Sequence, residues 1–249
     1  MKISVITVAY NSAATIAATM DSVAKQSYAD MEHLVVDGAS NDDTVNIAQA
    51  RSTPRTVIRS EPDKGIYDAM NKGLARATGD IVCFLNADDA YADTEVLARV
   101  AHEMQLHRLD ALYGDVVFFR ADAPHRSVRR YRSDRFHPNR LGYGWMPAHP
   151  ALFMKRSIYE QLGGFRTHFR IAGDFDFIAR AFGPGQLRYR HLPDIMVRMQ
   201  AGGASNAGFR SKWRLNREVL QSCRENGIHT NLFKILSKYP IKLMELLRP

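Results

Sequence analysis

Short β-branched apolar runs alternate with stretches of helical spacing through the first hundred residues of the chain. Residues 2–9 (Lys-Ile-Ser-Val-Ile-Thr-Val-Ala) predict a first strand. Tyr10-Asn11-Ser12 breaks it, and Ser12 is expected to cap a helix with Ala13, Ile16, Met20, Val23 and Ala24 at apolar positions. Residues 33–36 predict a second strand that stops at Asp37-Gly38-Ala39-Ser40. A helix follows to about Ala50, and Thr56-Val57-Ile58 predicts a third strand. After Glu61-Pro62-Asp63-Lys64-Gly65 a helix is expected to about Ala77, with Ile66, Met70, Leu74 and Ala77 on one side. Gly79-Asp80 then turns into Ile81-Val82-Cys83-Phe84-Leu85, an apolar run that reads as a strand buried on both faces.

This βαβαβαβ order predicts an α/β fold: a doubly wound, mostly parallel sheet flanked by helices. The C-terminal ends of such strands share one edge, so Asp37, Asp63 and Asp88/Asp89 are expected to converge there. Further on, residues 94–108 read as helix and 111–119 as strand. The basic stretch 120–140 reads as a hairpin or loop, and 142–150, punctuated by Gly and Pro, as irregular. A strand at 151–154, a helix ending near Gly163-Gly164, a helix from about Asp174 to Phe182, an extended run at 187–199 and a helix at 209–226 follow. In domain terms, 1–205 forms the main unit (a ligand half to about 119 and a second half from 120), and 206–249 a helical C-terminal extension.

Composition narrows the class. With 249 residues the chain can bury one large α/β core. No apolar run approaches the length of a membrane span, and no secretory leader is read at the start, so a cytoplasmic protein is expected. The two cysteines, Cys83 and Cys223, lie far apart and form neither a disulfide framework nor a zinc spacing. The formal charge of +8 admits nucleic acid, an anionic membrane or a phosphorylated substrate as partner. The charge gathers in 120–140 and in the tail. There Lys234, Lys238, Lys242 and Arg248 alternate with apolar groups, as in a segment lying on the inner face of a membrane. A helix packed on the domain or in a homodimer is the alternative.

The candidate chemistry starts where the buried run ends, at Asn86-Ala87-Asp88-Asp89. Adjacent carboxylates raise each other's pKa unless a cation sits beside them, and hard oxygen ligands suit Mg²⁺ or Mn²⁺. A polar loop capping the next helix is the bland alternative.

Four pieces in order, Thr7-Val8-Ala9-Tyr10-Asn11, Val35-Val36-Asp37-Gly38-Ala39-Ser40, Asn86-Ala87-Asp88-Asp89 and Gly173-Asp174-Phe175-Asp176, resemble family 2 glycosyltransferases with the GT-A fold. The similarity is greatest to the bacterial branch that builds exopolysaccharides, capsules and O-antigens. It runs from residue 2 to about 200 and leaves the tail uncovered.

The resemblance implies an inverting enzyme that uses a nucleotide-diphosphate sugar, a UDP-sugar favoured, with Mg²⁺ or Mn²⁺. The acceptor would be a glycan or a polyprenyl-diphosphate-linked oligosaccharide. Thr7, Ala9, Tyr10 and Asn11 would hold the nucleotide, and Asp37 would bind the base. Lys64 would neutralise phosphate, and Asn71 would reach the ribose or the metal loop. Asn86, Ala87 and Asp88 match the family's DXD motif, with Asn at its first position. Asp88 and Asp89 both remain open as metal ligands. Asp174 matches the catalytic base, with Gly173 where the family has Glu, and Asp176 is the alternative base. His149, Trp145 and Arg198, the last with the Gly202–Ser205 loop, fall on the acceptor or phosphate side. Two other classes stand against this reading: a nucleotidyltransferase, which would carry a Gly-rich phosphate loop where Ala9-Tyr10-Asn11-Ser12 stands, and a non-enzymatic nucleic-acid binder, which no motif supports.

Overall fold

A computed structural model describes residues 1–120, 122–201 and 208–240. The tail beyond 240 and the Gly202–Ser205 loop lie outside them. The predicted alternation is present: β1 (Ile3–Ala9), α1 (Ile16–Ala24), β2 (Met31–Asp37), α2 (Thr44–Ala50), β3 (Thr56–Ser60), α3 (Ile66–Leu74) and β4 (Ile81–Phe84). Then come β5 (Asp89–Tyr91), α4 (Val96–Leu106), β6 (Ala111–Arg120), β7 (Ala123–Tyr131), β8 (Leu152–Lys155), α5 (Arg156–Leu162), α6 (Gly173–Phe182), β9 (Tyr189–Gln200), α7 (Phe209–Glu225) and α8 (Leu232–Leu236).

The strands form one sheet in the order β3-β2-β1-β4-β8-β6-β9-β5, with β7 on the outer part of β6. β3, β2, β1 and β4 are all parallel, and β6 and β9 run the same way; β5, β7 and β8 oppose them. The sheet is therefore mostly parallel in strand direction, as expected. The register Ala9↔Asp37↔Ser60, with Leu85 N–H donating to the Ile6 carbonyl, brings four C-terminal strand ends to one edge.

Two details of the expected helices are corrected. Ser12 does not cap α1 with its side chain: Thr15 is the N-cap residue, and the Ser12 carbonyl instead accepts from the amides of Thr15 and Ile16. In α3 the buried stripe is Tyr67, Ala69, Met70 and Gly73, whereas Ile66 is exposed, because the helix starts only at Gly65 and Ile66 opens its first turn. The stretch 120–140 is the β6–β7 hairpin followed by 3₁₀ turns.

The C-terminal helices are part of the body. Val219 and Cys223 of α7 and Ile235 of α8 are buried in the same core cluster as α6. Residues 231–240 thus pack on the domain, the alternative weighed for this part of the tail.

One polar knot ties these helices together. Asp176 is fully buried and accepts hydrogen bonds from Arg180 Nε (3.0 Å), Arg166 Nη1 (3.3 Å), Ser222 Oγ (3.1 Å) and Asn226 Nδ2 (3.0 Å). Removing one partner of a buried ion pair strands the other's charge, at a cost of about 3–5 kcal/mol. Asp176→Ala is expected to lose that much in urea unfolding; a loss under about 1 kcal/mol would show the knot does not hold α6 to α7.

Candidate functional site

The loops after β1 and β2 are laced together at the strand edge. Asn11, at φ +48°, donates its amide to Ser40 Oγ (2.8 Å), and its own Oδ1 accepts from Asn41 N–H (2.9 Å). Ser12 N–H donates to Thr44 Oγ1 (2.7 Å). This leaves the Tyr10 ring 61% exposed beside Gly38.

Asp37 is placed at the expected edge, with its carboxylate taken up inside the protein. Its carboxylate is 1% exposed and accepts from Ser40 N–H (3.0 Å), from Ser40 Oγ and from Ser60 Oγ (2.6 Å). It fixes the turn. The neighbouring Gly38 has no side chain to offer, and the space its Cβ would fill is taken by Asp63 Oδ2, with the Tyr10 ring on the other side. Asp63 Oδ1 accepts from Gly65 N–H (2.8 Å), so the acid is held with its second oxygen against Gly38.

At the tip of β4 the polarity is different. Asp89 is buried, and among the described residues its carboxylate takes its hydrogen bonds from Asn86, whose Nδ2 lies at 3.3 Å. Burial, and then the charge of Asp88, push its pKa well above the usual carboxylate value. Burial also raises Asp88. No cation stands beside either acid among the described residues, and Asn86 Oδ1 is buried without a hydrogen-bond partner. Thr19 Oγ1 pins the turn by donating to the Asp89 carbonyl (2.7 Å). Two acids lacking a counter-charge and an unpartnered amide oxygen make a donor set of hard oxygens, which fits a Mg²⁺- or Mn²⁺-type cation. The described residues gather no cluster of three or more His, Cys, Asp or Glu, so the remaining ligands of such an ion would be water or phosphate.

His149 lies behind this tip, stacked on Phe84 at 5.5 Å between ring centroids. It is buried, its Nε2 has no partner, and burial lowers its pKa to about 4, so it is a neutral imidazole.

Asp174 stands in the first turn of α6, partly open to solvent. Its Oδ1 accepts from Phe175 N–H (2.8 Å) and lies 3.3 Å from the Tyr67 hydroxyl, which also reaches the Ile171 carbonyl (2.6 Å). Burial raises its pKa to about 6, against the lowering effect of those hydrogen bonds. Tyr67 was not a candidate from the sequence. It also accounts for Gly173: a Cβ there would come within 2.7 Å of the Tyr67 ring. The loop before α6 is held from the other side by Glu218 Oε2, which accepts from the amides of Arg170 (3.1 Å), Ile171 (2.8 Å) and Ala172 (2.9 Å).

Several predicted residues do other work. Thr7 is buried and hydrogen-bonded to His33 Nε2 (2.9 Å). The Ala9 carbonyl accepts from Gly38 N–H (2.9 Å), and Ala87 is buried. Asn71 directs both ends of its amide to the backbone of Phe165, donating to its carbonyl (2.8 Å) and accepting from its N–H (2.8 Å). Asp176 is enclosed in its knot and cannot serve as the base. Trp145 is 5% exposed and belongs to the interior, not to an acceptor platform. Arg198 stacks over Phe119 (5.4 Å) in a cleft with Asp93, Arg99 and Asp194 at the β5–β9 edge. Lys64 is exposed two residues before α3.

The glycosyl transferase family 2 model matches residues 4–164. A PGL/p-HBAD biosynthesis glycosyltransferase of Mycobacterium tuberculosis is 34% identical over 208 residues, covering 82% of this chain and 78% of that one. Among solved structures, S. aureus TarS 1–349 in complex with UDP-GlcNAc superposes with a TM-score of 0.70 at 20% identity, over 89% of this chain and 66% of that chain. The chain spans 65% of TarS 1–349 in its structure without nucleotide. The mannosyltransferase PcManGT from Pyrobaculum calidifontis, in complex with GDP-Man and Mn²⁺, superposes with a TM-score of 0.65 at 24% identity, over 94% of this chain and 68% of that one. At such identities the solved structures show the GT-A fold alone. No helix among the described residues is long and apolar enough to cross a membrane. The sequence match, not the superposition, decides the enzyme class over the nucleotidyltransferase and nucleic-acid-binding alternatives: the chain is a glycosyltransferase and belongs to glycosyl transferase family 2.

Proposed function

We propose that the chain is an inverting, cation-dependent transferase that moves a sugar from a nucleotide diphosphate, UDP favoured, to a hydroxyl of a glycan or lipid-linked oligosaccharide. The observation that carries this reading is the pair of acids at the β4 tip without a counter-charge, with Asp174 as a separate carboxylate of raised pKa. Asn86, Asp88 and Asp89 would hold the cation, which when bound acts as a Lewis acid on the diphosphate. Asp63 reads the base in place of the saturated Asp37, with the exposed Tyr10 ring beside it. The exposed Lys64 ammonium is available to phosphate.

Asp174 is the base. Above about pH 6 it is ionised and takes the proton of the acceptor hydroxyl as that oxygen bonds to the anomeric carbon. The bond from that carbon to the diphosphate breaks on the opposite face, which inverts the centre. Tyr67 holds the carboxylate through Oδ1, leaving Oδ2 for the hydroxyl. The complexes of the solved neighbours with UDP-GlcNAc and with GDP-Man support a nucleotide sugar as donor.

UDP with Mn²⁺ is expected to raise the melting temperature by about 5–10 °C at a hundredfold excess over Kd. Asp88→Ala with Asp89→Ala should abolish the rise, and GDP and dTDP run in parallel rank the nucleotides. No rise with any nucleoside diphosphate and either Mg²⁺ or Mn²⁺ would overturn the reading.

Asp174→Asn should keep the nucleotide-induced rise and lose turnover. It should also stabilise the protein at pH 7.5. The folded pKa of Asp174 lies above that of the unfolded chain, so ionising it costs stability as pH rises, and the asparagine keeps both hydrogen bonds without the charge. A gain of about 1–3 kcal/mol is expected at pH 7.5, shrinking as pH falls through 6 and gone near pH 4. Full turnover in Asp174→Asn would contradict the assignment.

A further inference from the structure

α7 carries a one-sided charge pattern that glycosyl transfer does not use. Arg210, Trp213, Arg214, Arg217, Gln221 and Arg224 are all exposed and fall within an arc of about 100° on the helix. Asn216, Val219, Ser222 and Cys223 are buried on the opposite side. The stripe runs along a helix of 17 residues, about 25 Å.

The two acids of this helix, Glu218 and Glu225, border the stripe along the same cleft, and each is already engaged elsewhere. Glu218 is taken up by the amides of 170–172, and Glu225 by Arg166 (3.0 Å) and Gln221 (2.8 Å). None of the four stripe arginines makes an ion pair among the described residues. Trp213, between Arg210 and Arg214, is 47% exposed, and Phe233 on the adjoining α8 is 86% exposed next to Lys234.

We propose that the outer face of α7 is a docking surface for an anionic lipid bilayer. The row of four guanidinium groups outside ion pairs outnumbers the two carboxylates that border it and supplies attraction to acidic headgroups, worth roughly fivefold in affinity for each arginine near the surface. Trp213 supplies an indole of the kind that settles at the headgroup level, and its solvent exposure without a packing role fits that position. The flank of this helix, through Glu218, holds the backbone just before Asp174. A bilayer on α7 therefore lies next to the element that orients the base, where an acceptor carried by a lipid would arrive. That last link rests on the proposed acceptor class; the docking itself does not.

The test is sedimentation of the full chain with neutral phosphatidylcholine vesicles and with vesicles containing about 30 mol% phosphatidylglycerol. Binding is expected only to the anionic vesicles, weakening as salt is raised. Substituting Arg210, Arg214, Arg217 and Arg224 by Gln should weaken it by roughly a hundredfold or more. Melting temperature and the response to UDP with Mn²⁺ should be unchanged, which separates failure of docking from failure of the transferase reading. Trp213 emission should shift to the blue on anionic vesicles, read in Trp145→Phe so that Trp213 is the sole indole. Equal binding to neutral vesicles, or anionic binding undiminished in the quadruple variant, would overturn the proposal. So would tighter, stripe-dependent binding to an oligonucleotide.

Discussion

A carboxylate taken out of water must find donors or a cation, or else hold its proton, and the buried and half-buried acids of this protein divide on that rule. Asp37 has Ser40 and Ser60. Asp115 has Arg130 Nε (2.9 Å), Ser133 N–H (2.8 Å) and His191 Nε2 (2.8 Å). Asp176 has two arginines and two neutral donors. These three build turns and hold helices. Asp88, Asp89 and Asp174 have no cation beside them among the described residues, and burial raises all three. Acids left in that condition are unfavourable for stability and are kept where chemistry needs them. The division between saturated and unsaturated acids is the most direct guide to the site in this fold.

α3 connects its two ends. Gly65 opens the helix next to Asp63 and Lys64 at the strand edge, and two residues later Tyr67 reaches Asp174 on the other side. At both ends a glycine stands where a larger side chain would collide: Gly38 against Asp63, and Gly173 against the Tyr67 ring. At position 173 the glycine makes room for the Tyr67 ring, which meets Asp174 from α3. Asn71, further along the same helix, clamps Phe165, whose ring packs edge-on to Phe84 at 5.1 Å beneath the β4 tip. One helix carries the scaffold for both halves.

The alternation of strands and helices and the shared edge were legible because a buried parallel strand needs an uninterrupted apolar run, and those runs stop at Asp37 and Asn86. The Asp88/Asp89 pair and Asp174 were legible as acids in motif positions. What the sequence could not show was saturation. Nothing in Val36-Asp37-Gly38 reveals that Ser60, on the next strand, takes up the carboxylate, and nothing near Asn71 points to Phe165, 94 residues on. Asp176 did leave a trace: Arg180 lies four residues later, the spacing of a helical ion pair, and that marks it as structural. Tyr67 was missed because the helix was phased from Ile66, which its first turn exposes. Trp145 was ambiguous because an indole serves a core and a sugar platform equally well.

If Asp174 deprotonates an acceptor opposite a diphosphate held at Asp88 and Asp89, the stereochemistry at the transferred carbon must change. The direct measurement is proton NMR of the first sugar anomer released from a nucleotide-sugar donor, taken before mutarotation. The account predicts the anomer opposite to that of the donor, and first release with the donor's own configuration would contradict it.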